Sequence, residues 1–317
     1  MKLLNAAKAK VYYVFSKNKL AISLYKKIFY PNKYAVFYPS FVCNYHCPYC
    51  IINKVGYGKK YADYEHSGKE WTNAFSDFPP MVIGVSGGEP FRWSGMPDFL
   101  RYISKKHFLN ITTNLSWNID DFIDKLKSCP ASFTICGSFH PYMTEIDTFK
   151  AKIQRLQDAG FRIFTDIVAY PPIISKLEKF KSIFEKSNIH CEIVSYVDPT
   201  HNYTPAEAKI IKDYVTIRNK CPLDFEKNPG LKSCSAGSDY FFFAPNGDVF
   251  ICNAGFYYVT SPLHKNYRAD KDEFCLGNLF DGSFKPMKSK KICKYPCSEI
   301  CDLGFAKPKP LKSDQAY

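Results

Sequence analysis

The chain has 317 residues, 46% of them hydrophobic and 17% aromatic, which suffices for a large domain with a sizeable core plus a small one, so disorder is not the default reading. The formal net charge of +13 is carried by the two ends: residues 1–60 hold eleven Lys and no acid, and residues 285–312 hold eight Lys against Glu299 and Asp302. No stretch approaches the roughly 20 apolar residues that span a bilayer, and no signal peptide is read, so the expected location is a reducing cytoplasm.

The elements follow in chain order. Residues 1–34 form two Lys-rich amphipathic helices, with Leu3, Leu4, Ala7, Val11 and Val14 at helical spacing, then Leu20, Leu24, Ile28 and Phe29. From 35 to 198, apolar runs at 35–42, 81–86, 108–113, 131–138, 162–169 and 190–196 predict six strands. Helical patterns lie between several of them, notably at 96–106, 145–159 and 174–187. Strands separated by crossovers of this length predict a parallel sheet, either open or curved into a barrel. A connector spans 199–233 with a helix near 205–219, and a cysteine-rich segment spans 234–305. That segment carries a hairpin signal, Tyr240–Ala244 and Val249–Cys252 around Asn246-Gly247. Residues 306–317 form an extended tail.

Thirteen cysteines at short spacings, in a chain with no export signal, favour metal or cluster ligation over disulfides. Cys43, Cys47 and Cys50 sit at x3 and x2 spacing on one loop. A cubic 4Fe–4S cluster takes four cysteines, so three leave one iron open to another ligand. The alternative is zinc, with His46 as fourth ligand. The second strand ends in Ser86-Gly87-Gly88-Glu89-Pro90. Its glycines let backbone approach a ligand closely, and its carboxylate suits a cationic amine. The third strand ends in Thr112-Thr113-Asn114 and the fourth in Ser138-Phe139-His140. Polar residues at the C-terminal ends of successive strands are where α/β sheets and barrels place their sites. Cys234 and Cys252 flank the hairpin, and Cys293, Cys297 and Cys301 follow at x3 and x3; a four-thiolate zinc is the simpler reading of this group.

Over residues 35–302 the sequence resembles the radical S-adenosylmethionine superfamily, through Cys43/Cys47/Cys50 with Tyr49 before the last cysteine, and through Gly87-Gly88-Glu89-Pro90. The resemblance implies a partial (β/α)6 TIM-like barrel with a small C-terminal cysteine-rich β-hairpin/helix domain. It implies S-adenosylmethionine bound at a 4Fe–4S cluster, and a 5′-deoxyadenosyl radical formed by one-electron cleavage. Cofactor contacts are then implied for Tyr49, Gly87, Gly88, Glu89, Pro90, Asn114, Ser138 and His140. His140 has two further readings, as a catalytic group or as a structural hydrogen-bond donor. The C-terminal group, with Leu276-Gly277-Asn278-Leu279, resembles a twitch domain, the shortened SPASM domain, and implies one auxiliary 4Fe–4S cluster on Cys234, Cys252, Cys293, Cys297 and Cys301.

The expected function is hydrogen abstraction from a sugar, aminocyclitol or peptide, with net oxidation by way of the auxiliary cluster. The expected partner is a flavodoxin- or ferredoxin-type electron donor. One alternative is an epimerase with a thiol hydrogen donor, for which Cys275, Cys136 and Cys191 are candidates. The other is a non-catalytic electron carrier. The basic N-terminus is expected either to be solvated or to touch an anionic membrane surface; nucleic acid is not expected, because no RNA-binding module is recognisable.

Overall fold

The computed structural model describes residues 33–126, 133–196, 203–212, 214, 232–265, 268–295 and 306–308. The expected N-terminal helices up to residue 32, Cys297, Cys301, and most of the connector and of the tail lie outside the described residues.

Six parallel strands follow the apolar runs: β1 (Tyr34–Phe37), β2 (Val82–Val85), β3 (Phe108–Thr113), β4 (Phe133–Ser138), β5 (Arg162–Ala169) and β6 (Cys191–Ser195). They lie side by side in sequence order. A sheet wound in one direction puts every crossover on the same face, because parallel crossovers are right-handed. That face is covered by α3 (Gly68–Ser76), α4 (Met96–Ile103), α5 (Ile119–Leu126), α6 (Ile146–Asp158) and α7 (Leu177–Lys186), each packed against its successor or its strand. Alternate strand residues such as Phe37, Ile83, Ile111, Ile135 and Ile167 bury there against Trp71, Phe99, Phe122 and Phe149. The opposite face, which presents Gly84, Thr112, Ser138 and Val168, is left to line a lumen. This is the α/β partial barrel.

Two short helices, α1 (Ile51–Val55) and α2 (Tyr57–Lys60), precede α3. The pattern reading did not single out α3 or α5. A capping box starts α3: Ser67 Oγ accepts from Glu70 N (3.2 Å) and Glu70 Oε2 from Ser67 N (2.8 Å). In the connector α8 spans Pro205–Lys212, with Thr204 and Glu207 capping it in the same way.

The first strand is shorter than its apolar run. It ends at Phe37, and Tyr38–Val42 leave the regular ladder, where Pro39 has no N–H to give.

The cysteine-rich segment forms the predicted hairpin, β8 (Tyr240–Phe243) antiparallel to β9 (Asp248–Phe250), with Gly247 at φ +85°. The hairpin also extends the barrel sheet. β8 pairs in parallel with β1, from Tyr34↔Tyr240 to Phe37↔Phe243, and β10 (Cys275–Asn278) adds to β9. The result is nine strands in the order β10-β9-β8-β1-β2-β3-β4-β5-β6. All four β8 residues are buried, which suits a central strand covered on both faces. A second sheet joins β7 (Lys232–Cys234) to β11 (Lys291–Cys293) and β12 (Ala306–Pro308). In chain order α9 (Asn253–Thr260) follows β9, and α10 (Lys271–Phe274) precedes β10. Among the described residues no helix is long and apolar enough to cross a membrane.

Candidate active site

A cavity of about 260 Å³ opens at the C-terminal ends of β1–β6, on the lumen face. Cys43, Cys47 and Cys50 line it, as do Tyr49, Gly87, Gly88, Asn114, Ser138 and His140. Glu89 and Pro90 are buried beside it and do not line it. Ser86 and Thr112, strand-end residues to which no contact was assigned from sequence, also face it, as do Ser195 and Tyr196, which the sequence reading did not name.

The cysteine loop is seated by backbone contacts. Gly88 N donates to Ser40 O (3.0 Å) and Glu89 N to Val42 O (2.9 Å). The glycines make this approach possible. Gly87 has φ +126°, and a Cβ there would meet Ser40 O at 2.4 Å; a Cβ on Gly88 would lie 2.3 Å from Val42 O. Their smallness therefore serves the loop directly. Within the loop Cys50 N donates to Cys47 O (3.1 Å) and Tyr45 N to Cys43 Sγ (3.3 Å).

Glu89 is 1% exposed and accepts three hydrogen bonds: Thr113 Oγ1 (2.8 Å) and Phe91 N (3.1 Å) on Oε1, and Asn114 N (2.7 Å) on Oε2. Burial outweighs these donors and pushes its carboxyl up to about 7. The carboxyl thus ties the end of β3 to the Gly-Gly turn, one residue from the cavity wall.

Tyr49 Oη and His140 Nδ1 are hydrogen-bonded at 2.7 Å, and burial pushes His140 down to about 4, so the ring is a neutral imidazole at pH 7. Ser138 Oγ donates to Asp166 Oδ1 at 2.6 Å, which leaves the oxygen lone pairs of Ser138 for the cavity. Asp166 is the register partner of Ser138 on β5, and burial raises its carboxyl. It escaped the sequence reading, although an acid inside the run Arg162–Ala169 was a visible signal. Cys136 shares Ser138's face of β4 two residues deeper and contacts Asp166. Cys191 is buried among the outer core residues. Cys275 lies on β10, away from the cavity, with its thiol toward Gly277 O.

The donor set fits a polynuclear cluster. Burial raises all three thiols, Cys47 to about 12, and no Lys or Arg is among the residues lining the cavity. The thiols come to hold negative charge only with a bound cation. Among the described residues no three His, Cys, Asp or Glu side chains converge on one point that could hold a single ion. His46 is exposed and outside the cavity, so it does not complete a zinc site.

The second group draws on distant segments. Cys234 and Cys252 are buried, and burial, with Cys293 and Cys234 close by, pushes the Cys252 thiol up to about 12. The β7–β11 ladder, in which Lys291 pairs with Cys234, brings Cys293 in. The described cysteines are free of disulfides. The two regions share a core: Phe41, Ile52 and Tyr57 pack with Phe242, Phe250 and Phe256, and Tyr57 Oη bonds Thr260 Oγ1 at 2.7 Å.

No family model matches the sequence, and no curated protein matches it. Solved structures do. Streptococcus suis SuiB bound to S-adenosylmethionine matches with a TM-score of 0.54 at 17% identity, over 80% of this chain and 66% of SuiB. SuiB bound to the precursor peptide SuiA matches with 0.56 at 16%, over 79% of this chain and 68% of SuiB. Native anSMEcpe with bound AdoMet and the Cp18Cys peptide matches with 0.52 at 14%, over 80% of this chain and 79% of the other. The chain therefore shares the fold of SuiB and anSMEcpe, in which S-adenosylmethionine has been seen bound.

Proposed function

We propose that the chain is a radical S-adenosylmethionine enzyme acting on a peptide or another polar substrate, with one cluster on Cys43, Cys47 and Cys50 and an auxiliary cluster on the C-terminal cysteines. The observation that carries this reading is the meeting of three thiols, the Gly87-Gly88 edge and Asn114 around one cavity at the strand ends. The fold likeness to SuiB and anSMEcpe, both solved with peptides, supports the peptide class.

When bound, the cluster and S-adenosylmethionine supply the one-electron cleavage and the hydrogen-abstracting radical. The protein's own share is positional. The buried Glu89 carboxylate offers negative charge behind the Gly-Gly turn for the cofactor's amine. Ser138, its own proton held by Asp166, accepts a hydrogen bond from a hydroxyl or amine of the bound cofactor. Tyr49 and neutral His140 close the cavity side with polar atoms already paired to each other. Cys234, Cys252 and Cys293, with a ligand from Cys297 or Cys301, would hold the auxiliary cluster, which would supply the electron acceptor for a net oxidation. An electron donor of flavodoxin or ferredoxin type serves the enzyme in a reducing compartment.

A second reading, radical epimerisation, has one observation in its favour: Cys136 lies on the lumen face below Ser138. Turnover in deuterium oxide separates the two. Oxidation gives product two hydrogens lighter with no deuterium at carbon. One solvent deuterium at carbon, lost in Cys136→Ala, would establish epimerisation. For the enzyme class itself, anaerobic incubation with S-adenosylmethionine and dithionite is expected to yield 5′-deoxyadenosine, and none with Cys43→Ala; a protein that forms none is an electron carrier. Glu89→Gln is expected to weaken S-adenosylmethionine binding roughly tenfold, the scale of one charge-assisted contact, while both cluster spectra persist.

A further inference from the structure

The end of β3 carries a strained turn that aims one amide at one cysteine. Leu115 has φ +53°, and the only other described non-glycine residue with positive φ is Asn188. A bulky residue in this region costs on the order of 1–3 kcal/mol and persists only where its surroundings fix it. Here the surroundings do. Leu115 N donates to Thr113 Oγ1 (3.1 Å), its carbonyl accepts from Lys152 Nζ (2.6 Å), and the residue is 1% exposed.

The strain serves Asn114. Its backbone N is fixed on Glu89 Oε2 at 2.7 Å. Its Oδ1 accepts from Ser116 N at 2.9 Å, which decides the orientation of the amide, because that N–H needs an acceptor. The amide nitrogen is then turned toward the cysteine loop. It meets Asn44 Oδ1 at 3.3 Å and Cys43 Sγ at 3.8 Å. Asn44 is itself held as an acceptor by Ser116 Oγ at 3.1 Å. Every other polar atom of Asn114 but its carbonyl is thus spoken for, and the free direction of the NH₂ group is the sulfur.

We propose that Asn114 is a positioning residue that donates an N–H···S hydrogen bond to the Cys43 thiolate and makes the cluster held there easier to reduce. The inference rests on the cluster reading above. A donor at a thiolate withdraws negative charge from it, and it favours the reduced state because that state carries one more electron. Hydrogen bonds to the sulfurs are among the factors that set such potentials.

The test is a spectroscopically monitored redox titration of the full chain, reconstituted anaerobically, without S-adenosylmethionine. At a fixed applied potential Asn114→Ala is expected to lower the reduced-to-oxidised ratio of the Cys43/Cys47/Cys50 cluster about tenfold, equivalent to about 59 mV for one electron. Leu115→Gly, which adopts positive φ without steric cost, is expected to leave the ratio within about twofold. Should Asn114→Ala fail to fold, Asn114→Asp keeps an acceptor for Ser116 N but has no N–H to give, and its ratio must fall as well. An unchanged ratio in either variant, with the cluster intact, overturns the proposal and leaves the enzyme reading standing. A parent protein with no reducible cluster dependent on Cys43, Cys47 and Cys50 overturns both.

Discussion

The two cysteine groups are built in opposite ways. Cys43, Cys47 and Cys50 come from eight consecutive residues, and the fold's task is to seat one loop against Ser86–Glu89. Cys234, Cys252 and Cys293 come from β7, the end of the hairpin and β11, separated by 17 and 40 residues. Closing short loops costs little chain entropy, and closing long ones costs more. A cluster on the first group therefore reports on a loop already in place. A cluster on the second group crosslinks the chain.

The largest expected effect tests that difference. A crosslink closing a loop of about 15 residues stabilises by roughly 3 kcal/mol in the chain-entropy view. Reconstituted Cys252→Ala should thus lose about 3–5 kcal/mol in denaturant unfolding, since Cys252 Sγ also accepts from Gly255 N at 3.2 Å at the start of α9. Cys43→Ala should lose about 1 kcal/mol. Equal losses would erase the contrast.

The barrel half has an acid weakness of its own. His107 is 2% exposed, and among the described residues neither ring nitrogen is within full hydrogen-bond geometry of a partner, the Phe75 backbone being only a weak neighbour. Burial, aided by Lys106, pushes it down to about 4 from 6.5. The unfolded chain therefore binds the extra proton between those values, so this part of the stability is full above pH 6.5 and is lost as pH falls toward 4. The gap amounts to roughly 3 kcal/mol. His107→Phe should flatten the parent's loss between pH 7 and 4.5 by about 2 kcal/mol in paired unfolding curves; parallel curves would show that His107 finds a partner.

Gly88→Ala attacks the first group without touching a cysteine. Its Cβ would meet backbone oxygen at 2.3 Å, and overpacking of this kind costs about 1–3 kcal/mol. Iron bound at the first group should fall while the auxiliary cluster's spectrum persists. The smallest effect concerns the seam between the regions. Tyr57→Phe removes the bond to Thr260 and should cost about 1 kcal/mol. A null result in a double-mutant cycle with Thr260→Val would mean that the regions are joined by apolar contact alone.

The contrast also explains what could be read in the sequence. Apolar runs placed the six barrel strands because each is a local pattern, and Ile111 or Ile167 buries on the helix-covered face whatever happens elsewhere. The three loop cysteines that line the cavity were legible for the same reason. Ser67 and Glu70 carried a readable start for α3 that the apolar periodicity of so short a helix did not disclose. The β8–β1 pairing joins residues 206 apart in sequence, and no local pattern specifies it, though four consecutive buried aromatics, Tyr240–Phe243, hinted at a strand covered on both faces. Asn114 was flagged as a cofactor contact; its hold on Cys43 and Asn44 depends on a turn at positive φ that a leucine does not announce.

Metal analysis tests the two-site account most directly. Anaerobically reconstituted protein should hold about eight irons per chain, four for each cubic cluster. Replacing Cys43, Cys47 and Cys50 together by Ala should leave about four. An unmodified protein with about four irons and bound zinc would contradict the account, since one of the two groups would then be a zinc site.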